Sequence, residues 1–246
     1  MPAAQKIPAV SIIIPAYHEE KTIKRTVCQF AALGIPHKVI VSVSPSGDRT
    51  AEIARQCADE VVVLPEGKKS GVSPARNDGV YAATGEFIAF IDSDTYIPDA
   101  DRFFSRVLGR FAHDPKLVGL SVRIMVIPAM ATLSDRMVSF LMNSWFFFLN
   151  RCLGVGIASG KFLIVRADAF RKVGGFDERL NTAEDVDLFR KLRRVGRTRI
   201  AWDLRVYHEG RRFHKLGAWR TLSRWMVNSI SYWMLGRSSD TWEPVR

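Results

Sequence analysis

Four short runs rich in β-branched and aromatic residues, each followed by a stretch with helical spacing, constrain this chain more than any other feature of its sequence. They are "AVSIII" (9–14), "HKVIVSV" (37–43), "VVVL" (61–64) and "FIAFI" (87–91). Between them, residues 19–33 place Ile23, Val27 and Phe30 at helical intervals before Gly34, and residues 50–58 set Ala51, Ala54 and Ala58 on one side. Ser73 followed by Pro74 is a helix start, because Ser caps and Pro suits the first helical position. Strands that alternate with helices require crossover connections, so the pattern predicts an α/β fold. Its central sheet is mostly parallel, with helices on both faces.

Beyond Asp101 the alternation loosens into a strand at 117–126, an apolar segment at 137–149, a short strand at 162–165, a helix at 183–195 and a strand at 199–207. No repeat and no linker divides the chain. The expectation is one domain over residues 8–210 with an extension over 211–246. With 246 residues and 47% hydrophobic content, the chain can build a substantial core.

The formal charge of +11, from 36 Lys and Arg against 25 Asp and Glu, points to an anionic partner: phosphates, nucleic acid or an acidic membrane surface. No nucleic-acid-binding motif is visible, so nucleic acid is not the expected partner. The three cysteines, Cys28, Cys57 and Cys152, are odd in number and form no C-x-x-C pair. Neither a disulfide framework nor a zinc cluster is expected, and a reducing cytosol fits. The first residues carry no apolar run of signal-peptide length, so secretion by that route is not expected. The run "MVSFLMNSWFFFLN" (137–150) is shorter than the roughly 20 residues of a membrane-spanning helix, and reads as buried or interfacial.

The chemistry starts where "FIAFI" ends in Asp92 and Asp94. Ligands of α/β sheets sit beyond the carboxyl ends of the strands. Two carboxylates one residue apart at that edge repel each other unless a cation or hydrogen-bond donors compensate them. A hard divalent ion is a natural compensator and also binds diphosphate oxygens. Turn formation is the plain alternative for a D-x-D. A calcium loop is excluded, since Tyr96 and Ile97 stand where it needs an oxygen ligand and a glycine. "EGKKSG" lacks the first glycine of a P-loop, and "GVGIASG" (154–160) does not match a dinucleotide fingerprint.

Taken in order, "VSIIIPAYHEE" (10–20), "SGDRTAEIA" (46–54), "GKKSGVSPARNDGVYAATGEFIAFIDSD" (67–94), "SGKFLIVRADAFRKVGGFDE" (159–178) and "AEDVDLFRKLRRVGR" (183–197) resemble a family 2 glycosyltransferase of the GT-A fold. The resemblance implies an inverting transfer from a nucleotide-activated sugar, with manganese or magnesium as cofactor. It implies that Asp94 holds the metal, that Asp92 contacts the ribose or the metal, and that His208 is a third ligand. It makes Asp185 the catalytic base, with Glu184 positioning the acceptor. Acidic residues also favour a first helical turn, which is the plain reading of Glu184 and Asp187.

For the nucleotide, the resemblance implies Pro15, Tyr17 and Glu19 in the loop after the first strand. Asp48 matches the last Asp of the family's D-D-G-S-x-D-x-T motif. Val43 and Ser44 replace the two leading acids, so the base contact of that carboxylate is lost. Lys68, Arg76 and Asn77 match the G-K-x-x-A-R-N region, where the cations meet diphosphate or, for Arg76, pair with an acid at the top of a helix. Arg123 is a further candidate for the diphosphate.

The tail places Leu216, Trp219, Leu222, Met226, Ile230 and Trp233 at helical spacing among Arg211, Arg212, Lys215, Arg220, Arg224 and Arg237. A basic, Trp-rich amphipathic helix suits a bilayer interface; covering the apolar face of the domain is the alternative. The resemblance extends to polyprenyl-phosphate and other membrane-associated glycosyltransferases. It implies a lipid acceptor met by Arg211 and Arg212, and a peripheral place at the inner face of the membrane. "TLSRW" (221–225) resembles the Q-x-x-R-W motif of processive members, with Thr221 in place of the glutamine, so polymerisation is not implied. Two competing readings remain: a catalytically silent sugar- or lipid-binding module of the same fold, and a sugar-1-phosphate nucleotidyltransferase. The latter requires a glycine-rich basic loop that "IPAYHEE" does not provide.

Overall fold

A computed structural model describes residues 9–67, 71–180 and 182–235. Seven strands, β1 (Val10–Ala16), β2 (His37–Val43), β3 (Glu60–Val63), β4 (Phe87–Ile91), β5 (Leu117–Val126), β6 (Phe162–Arg166) and β7 (Arg197–His208), form one sheet in the order β3-β2-β1-β4-β6-β5-β7. Pairing is parallel except for β6, which runs antiparallel to both β4 and β5. The strand order reverses between β1 and β4, which opens a crevice beyond their carboxyl ends.

Because β1, β2 and β4 alternate buried side chains to both sides, two cores form. On one face Ile12, Ile14, Val41 and Ala89 pack against α1 (Ile23–Cys28), α2 (Thr50–Ala54) and α4 (Ala100–His113), and Ile124 against α5 (Leu133–Arg151). On the other, Ile13, Ile88, Phe90 and Leu163 meet α6 (Ala167–Lys172) and α7 (Glu184–Leu192), and α3 (Val72–Tyr81) packs on β1 and β2. The expected α/β architecture with helices on both faces is present.

The early helices are shorter than their spacing predicts: α1 covers Ile23–Cys28 of the expected 19–33, and α2 stops at Ala54. Turns of i→i+3 hydrogen bonds follow each, from Phe30, Ala31 and Leu33 after α1, and from Gln56 and Cys57 after α2. Where these two ends meet, Cys28 and Cys57 are joined in a disulfide with Cα atoms 5.6 Å apart. This corrects the expectation of unpaired thiols; the partners are 29 residues apart and share no local motif.

The segment after β7 does not stand off as a separate unit. α8 (Arg211–Leu216) and α9 (Ala218–Leu235) lie on the sheet edge and on α5. Phe213, Ala218, Leu222 and Trp225 fill a small core with Val126 and Val138, and His214 Nε2 lies 3.0 Å from Asp135 Oδ2. Asp135 also completes a capping box with Thr132 at the start of α5. Buried Asn143 of α5 binds both backbone groups of Ile124, at 2.9 Å each, where β5 has run past its pairing with β6. The face of α9 that packs carries Ala218, Thr221, Leu222 and Trp225, while Trp219, Met226 and Val227 remain exposed. Arg237 and the rest of the expected extension after Leu235 lie outside the described residues, as do the side chains of Ile230 and Trp233.

Candidate active site

The crevice is a cleft of about 510 Å³. It is lined by Pro15, Tyr17 and Glu19 after β1, Arg76 of α3, Asp92 and Asp94 after β4, Lys161 before β6, Glu184 and Asp185 at the start of α7, His208 at the end of β7, and Arg211 and Arg212 of α8. Of the expected site residues, Lys68 lies outside the described residues.

The Asp92–Asp94 segment is clamped from two sides. On the α1 side, the Thr26 hydroxyl donates to the Ser93 carbonyl at 2.7 Å, and Gln29 donates to Thr95 O while accepting from Ile97 N–H. On the other side, Tyr96 and Tyr207 exchange backbone hydrogen bonds of 2.7 and 2.9 Å, which brings the end of β7, and with it His208, beside Asp94.

Cations compensate both acids. Lys161 Nζ is 2.6 Å from Asp94 Oδ1 and 3.2 Å from Asp92 Oδ2. Arg76 Nη2 donates to Asp92 Oδ1 at 2.9 Å, and Arg211 Nη2 lies 3.3 Å from Asp94 Oδ2. Burial alone would raise the pKa of Asp94, yet the adjacent ammonium, with His208 and Arg211, lowers it well below the usual carboxylate range. Lys161 is held protonated by the same contacts against the opposing effect of burial.

The second acid pair behaves differently. Asp185 is pushed up to about 7, first by burial and then by the negative charge of Glu184; Arg76 and the Val186 N–H oppose the rise. Glu184 is also raised by burial, against the pull of Arg76. Arg76, 1% exposed, links the two pairs: Nη1 donates to Glu184 at 3.0 Å, Nη2 to Asp92 and to the Gly160 carbonyl at 2.9 Å, and the guanidinium lies over the Phe176 ring. A Cβ on Gly160 would stand 3.1 Å from Arg76 Nη2 and 3.4 Å from Asp185 Oδ2, so the absent side chain makes room for both groups. Ala183, just before the pair, has φ of 60°, a left-handed conformation that costs a non-glycine residue about 1–2 kcal/mol.

Other expected residues are engaged by neighbouring side chains. Glu19 is 2% exposed and accepts from Thr22 and from Arg211, so its carboxylate anchors α8 to the cleft. Asp48 is not in the cleft wall: it accepts from Ser46 and from the Thr50 hydroxyl, and Thr50 in turn accepts from Glu19 N–H. Arg123 is turned away, its guanidinium over Trp202 at 4.9 Å from the ring centre. Arg76 takes the structural alternative, and Asn77 likewise bonds Phe176 and Glu178. Arg211 is engaged by Glu19 and Asp94.

The metal expectation is met in part by the donor set. The two acids converge on one positive charge, the Lys161 ammonium, so their oxygens fit a cation. His208 lies beside them; its Nδ1 accepts from Gly210 N–H at 3.1 Å, and burial, together with nearby Lys161, pushes its pKa down to about 4, so the ring is neutral. Among the described residues no group of three or more His, Cys, Asp or Glu is arranged to hold a metal ion.

Lys161, a cleft cation in contact with both acids, was not among the residues expected from the sequence. The available signal was a lone cation opening the apolar strand "FLIV" directly after a glycine, but its meaning depends on the antiparallel pairing of β6.

Solved glycosyltransferases share this arrangement of sheet and helices. A mannosyltransferase from Pyrobaculum calidifontis in complex with GDP-Man and Mn2+ superposes with a TM-score of 0.69, at 20% identity over 96% of this chain and 67% of its own. Glucosyl-3-phosphoglycerate synthase from Mycobacterium tuberculosis, in complex with Mn2+, UDP-glucose and phosphoglyceric acid, gives 0.65 at 19% identity, over 91% of this chain and 79% of its own. The fold is GT-A. The chain belongs to glycosyl transferase family 2, whose model matches residues 11–174. Glycosyltransferase AglE of Haloferax volcanii is 29% identical over 95% of this chain and 77% of its own length. The pre-mycofactocin glycosyltransferase of Mycobacterium tuberculosis is 28% identical over 76% of this chain. The chain spans 48% of the Bacillus subtilis relative YdaM and 39% of the pre-mycofactocin enzyme.

Proposed function

We propose that this chain transfers a sugar from a nucleotide-sugar donor to the hydroxyl or phosphate of an acceptor, with inversion at the anomeric carbon. The observation that carries this reading is Asp185: a carboxylate titrating near 7 in the same cleft as a cation-bound acid pair is suited to take a proton at neutral pH. It also favours an enzyme over a silent binding module, which has no use for such a group.

In the transfer, the acceptor oxygen attacks the anomeric carbon, forming the new C–O bond as the bond to the donor's diphosphate breaks and its electron pair leaves on the phosphate oxygen. With a hydroxyl acceptor, the proton passes to Asp185. Glu184 keeps the proton affinity of Asp185 high, and Arg76 fixes the distance between the base and Asp92. Tyr17 and Pro15 wall the donor side of the cleft. Asp92 and Asp94 would hold a manganese or magnesium ion, which would bring positive charge to the leaving diphosphate.

The acceptor is a lipid at a membrane surface: a polyprenyl phosphate, which needs no base, or a lipid carrying a hydroxyl that Asp185 deprotonates. Met142 and Phe146 of α5 and Trp225 of α9 line the cleft, and next to them α5 exposes Met137, Phe140, Leu141, Trp145 and Phe148. Arg212 lines the cleft, and Arg220 and Arg224 stand exposed on α9, where they can face anionic headgroups. No helix among the described residues is long and apolar enough to cross a membrane; the contact made by α5 and α9 would lie in the bilayer interface. The test supplies labelled UDP-glucose and GDP-mannose with either polyprenyl phosphate in anionic vesicles or soluble sugars. Label entering the lipid phase, together with co-sedimentation on the vesicles, supports the reading; equal transfer to soluble sugars without vesicle binding overturns the lipid acceptor.

A further inference from the structure

The positive charge between Asp92 and Asp94 comes from the chain itself, and topology explains it. Because β6 runs antiparallel to β4, its first residue pairs with the last of β4, Phe162 opposite Ile91. Lys161 therefore begins at the edge where Asp92 and Asp94 end. Its carbonyl is fixed there, accepting from Asp92 N–H and from the Thr95 hydroxyl at 3.3 Å each. Only the side chain is left to move, and it is a quarter exposed to the cleft.

Resting on the reading of a donor diphosphate bound at these acids, we infer that Lys161 is the resident counter-ion of the Asp92–Asp94 pair and competes with a divalent cation for it, leaving the acids for the donor diphosphate when the donor binds. Three features support this. Its ammonium contacts both carboxylates, so a second cation at the same oxygens would meet it at close range and be repelled. Two other cations at the pair are also tied to groups outside it: Arg76, which meets Asp92 alone of the two, is held by Glu184 and Gly160, and Arg211, which meets Asp94 alone, is bound to Glu19. Lysine, a point charge on a flexible stem, can turn from a carboxylate to a phosphate without the fixed fork geometry of arginine. Metal and nucleotide binding are then coupled, because each makes room for the other at Lys161.

The test is an electron paramagnetic resonance titration of free Mn2+ against wild type, Lys161→Gln and Lys161→Arg, each with and without saturating nucleoside diphosphate. Lys161→Ala repeats the comparison if the glutamine variant melts abnormally. Wild type is expected to bind Mn2+ weakly alone and on the order of tenfold or more tightly with the nucleotide; Lys161→Arg is expected to bind Mn2+ equally weakly alone and to gain less from the nucleotide. Lys161→Gln is expected to bind Mn2+ at least tenfold tighter than wild type without nucleotide, and to gain less from it. Equal Mn2+ affinity in wild type and both uncharged variants, or the same gain from nucleotide in all of them, overturns the proposal. Failure of the donor reading looks different: nucleotide then changes nothing in any protein, while the difference in Mn2+ affinity between wild type and Lys161→Gln persists.

Discussion

The cleft contains two acid pairs of similar composition, and Asp94 of one and Asp185 of the other are tuned in opposite directions. Asp94, almost as buried as a core residue, sits among Lys161, Arg211 and neutral His208 and has its pKa lowered. Asp185 has a carboxylate neighbour in Glu184 and shares only Arg76, and it retains its proton up to about 7. Burial acts on both in the same direction, so the number of adjacent cations decides the outcome. A charged Asp94 suits the holding of cation and phosphate, whereas Asp185, near neutrality, suits proton transfer. Arg76 connects the two, one η-nitrogen to each pair.

The comparison is broken most strongly by Asp185→Asn, which should lower the transfer rate by roughly 10²–10⁴-fold, the usual contribution of a general base, in a steady-state assay of nucleoside diphosphate release. Next in size, Arg76→Met removes a buried cation from between two part-buried acids, Asp92 and Glu184. Chemical denaturation should show a loss of about 3–5 kcal/mol. The same change should move the pH dependence of kcat/KM to higher pH, because Arg76 opposes the proton on Asp185.

In wild type, kcat/KM should rise with pH through about 7 as Asp185 loses its proton. Glu184→Gln should move that rise to lower pH, since the Glu184 charge holds the proton in place. The sign for stability is opposite. A carboxyl whose folded pKa lies above its unfolded value stabilises the fold most below the unfolded value and loses that contribution as pH rises through about 7. Asp185→Asn should therefore melt at a higher temperature than wild type at pH 8, with a smaller difference at pH 5. The smallest effect is expected from Ala183→Gly, which relieves the positive φ before the base and should stabilise by about 1 kcal/mol in thermal unfolding.

The fold was largely legible in the sequence because strand and helix periods are local properties: β4 and β5 match their expected ranges, and β6 and β7 differ by one or two residues at their ends. Asp92 and Asp94 stood out for a related reason, since they end a fully buried strand, whereas Asp185 was singled out only by the family resemblance. What stayed hidden depends on contacts between distant residues. Glu19 is neutralised by Arg211, 192 positions away, and Arg76 meets Glu184 across 108. Arg123 points to Trp202 because β5 and β7 pair side by side, and Lys161 meets the acids only because β6 is reversed. Periodicity does not encode those pairings.

The division of labour between the two pairs is tested most directly by the separate kcat and donor KM of Asp185→Asn and Asp94→Asn. We expect Asp185→Asn to lose kcat with donor KM unchanged, and Asp94→Asn to raise donor KM. A weakened donor KM in Asp185→Asn, or an unchanged one in Asp94→Asn, would contradict the assignment of proton transfer to one pair and diphosphate binding to the other.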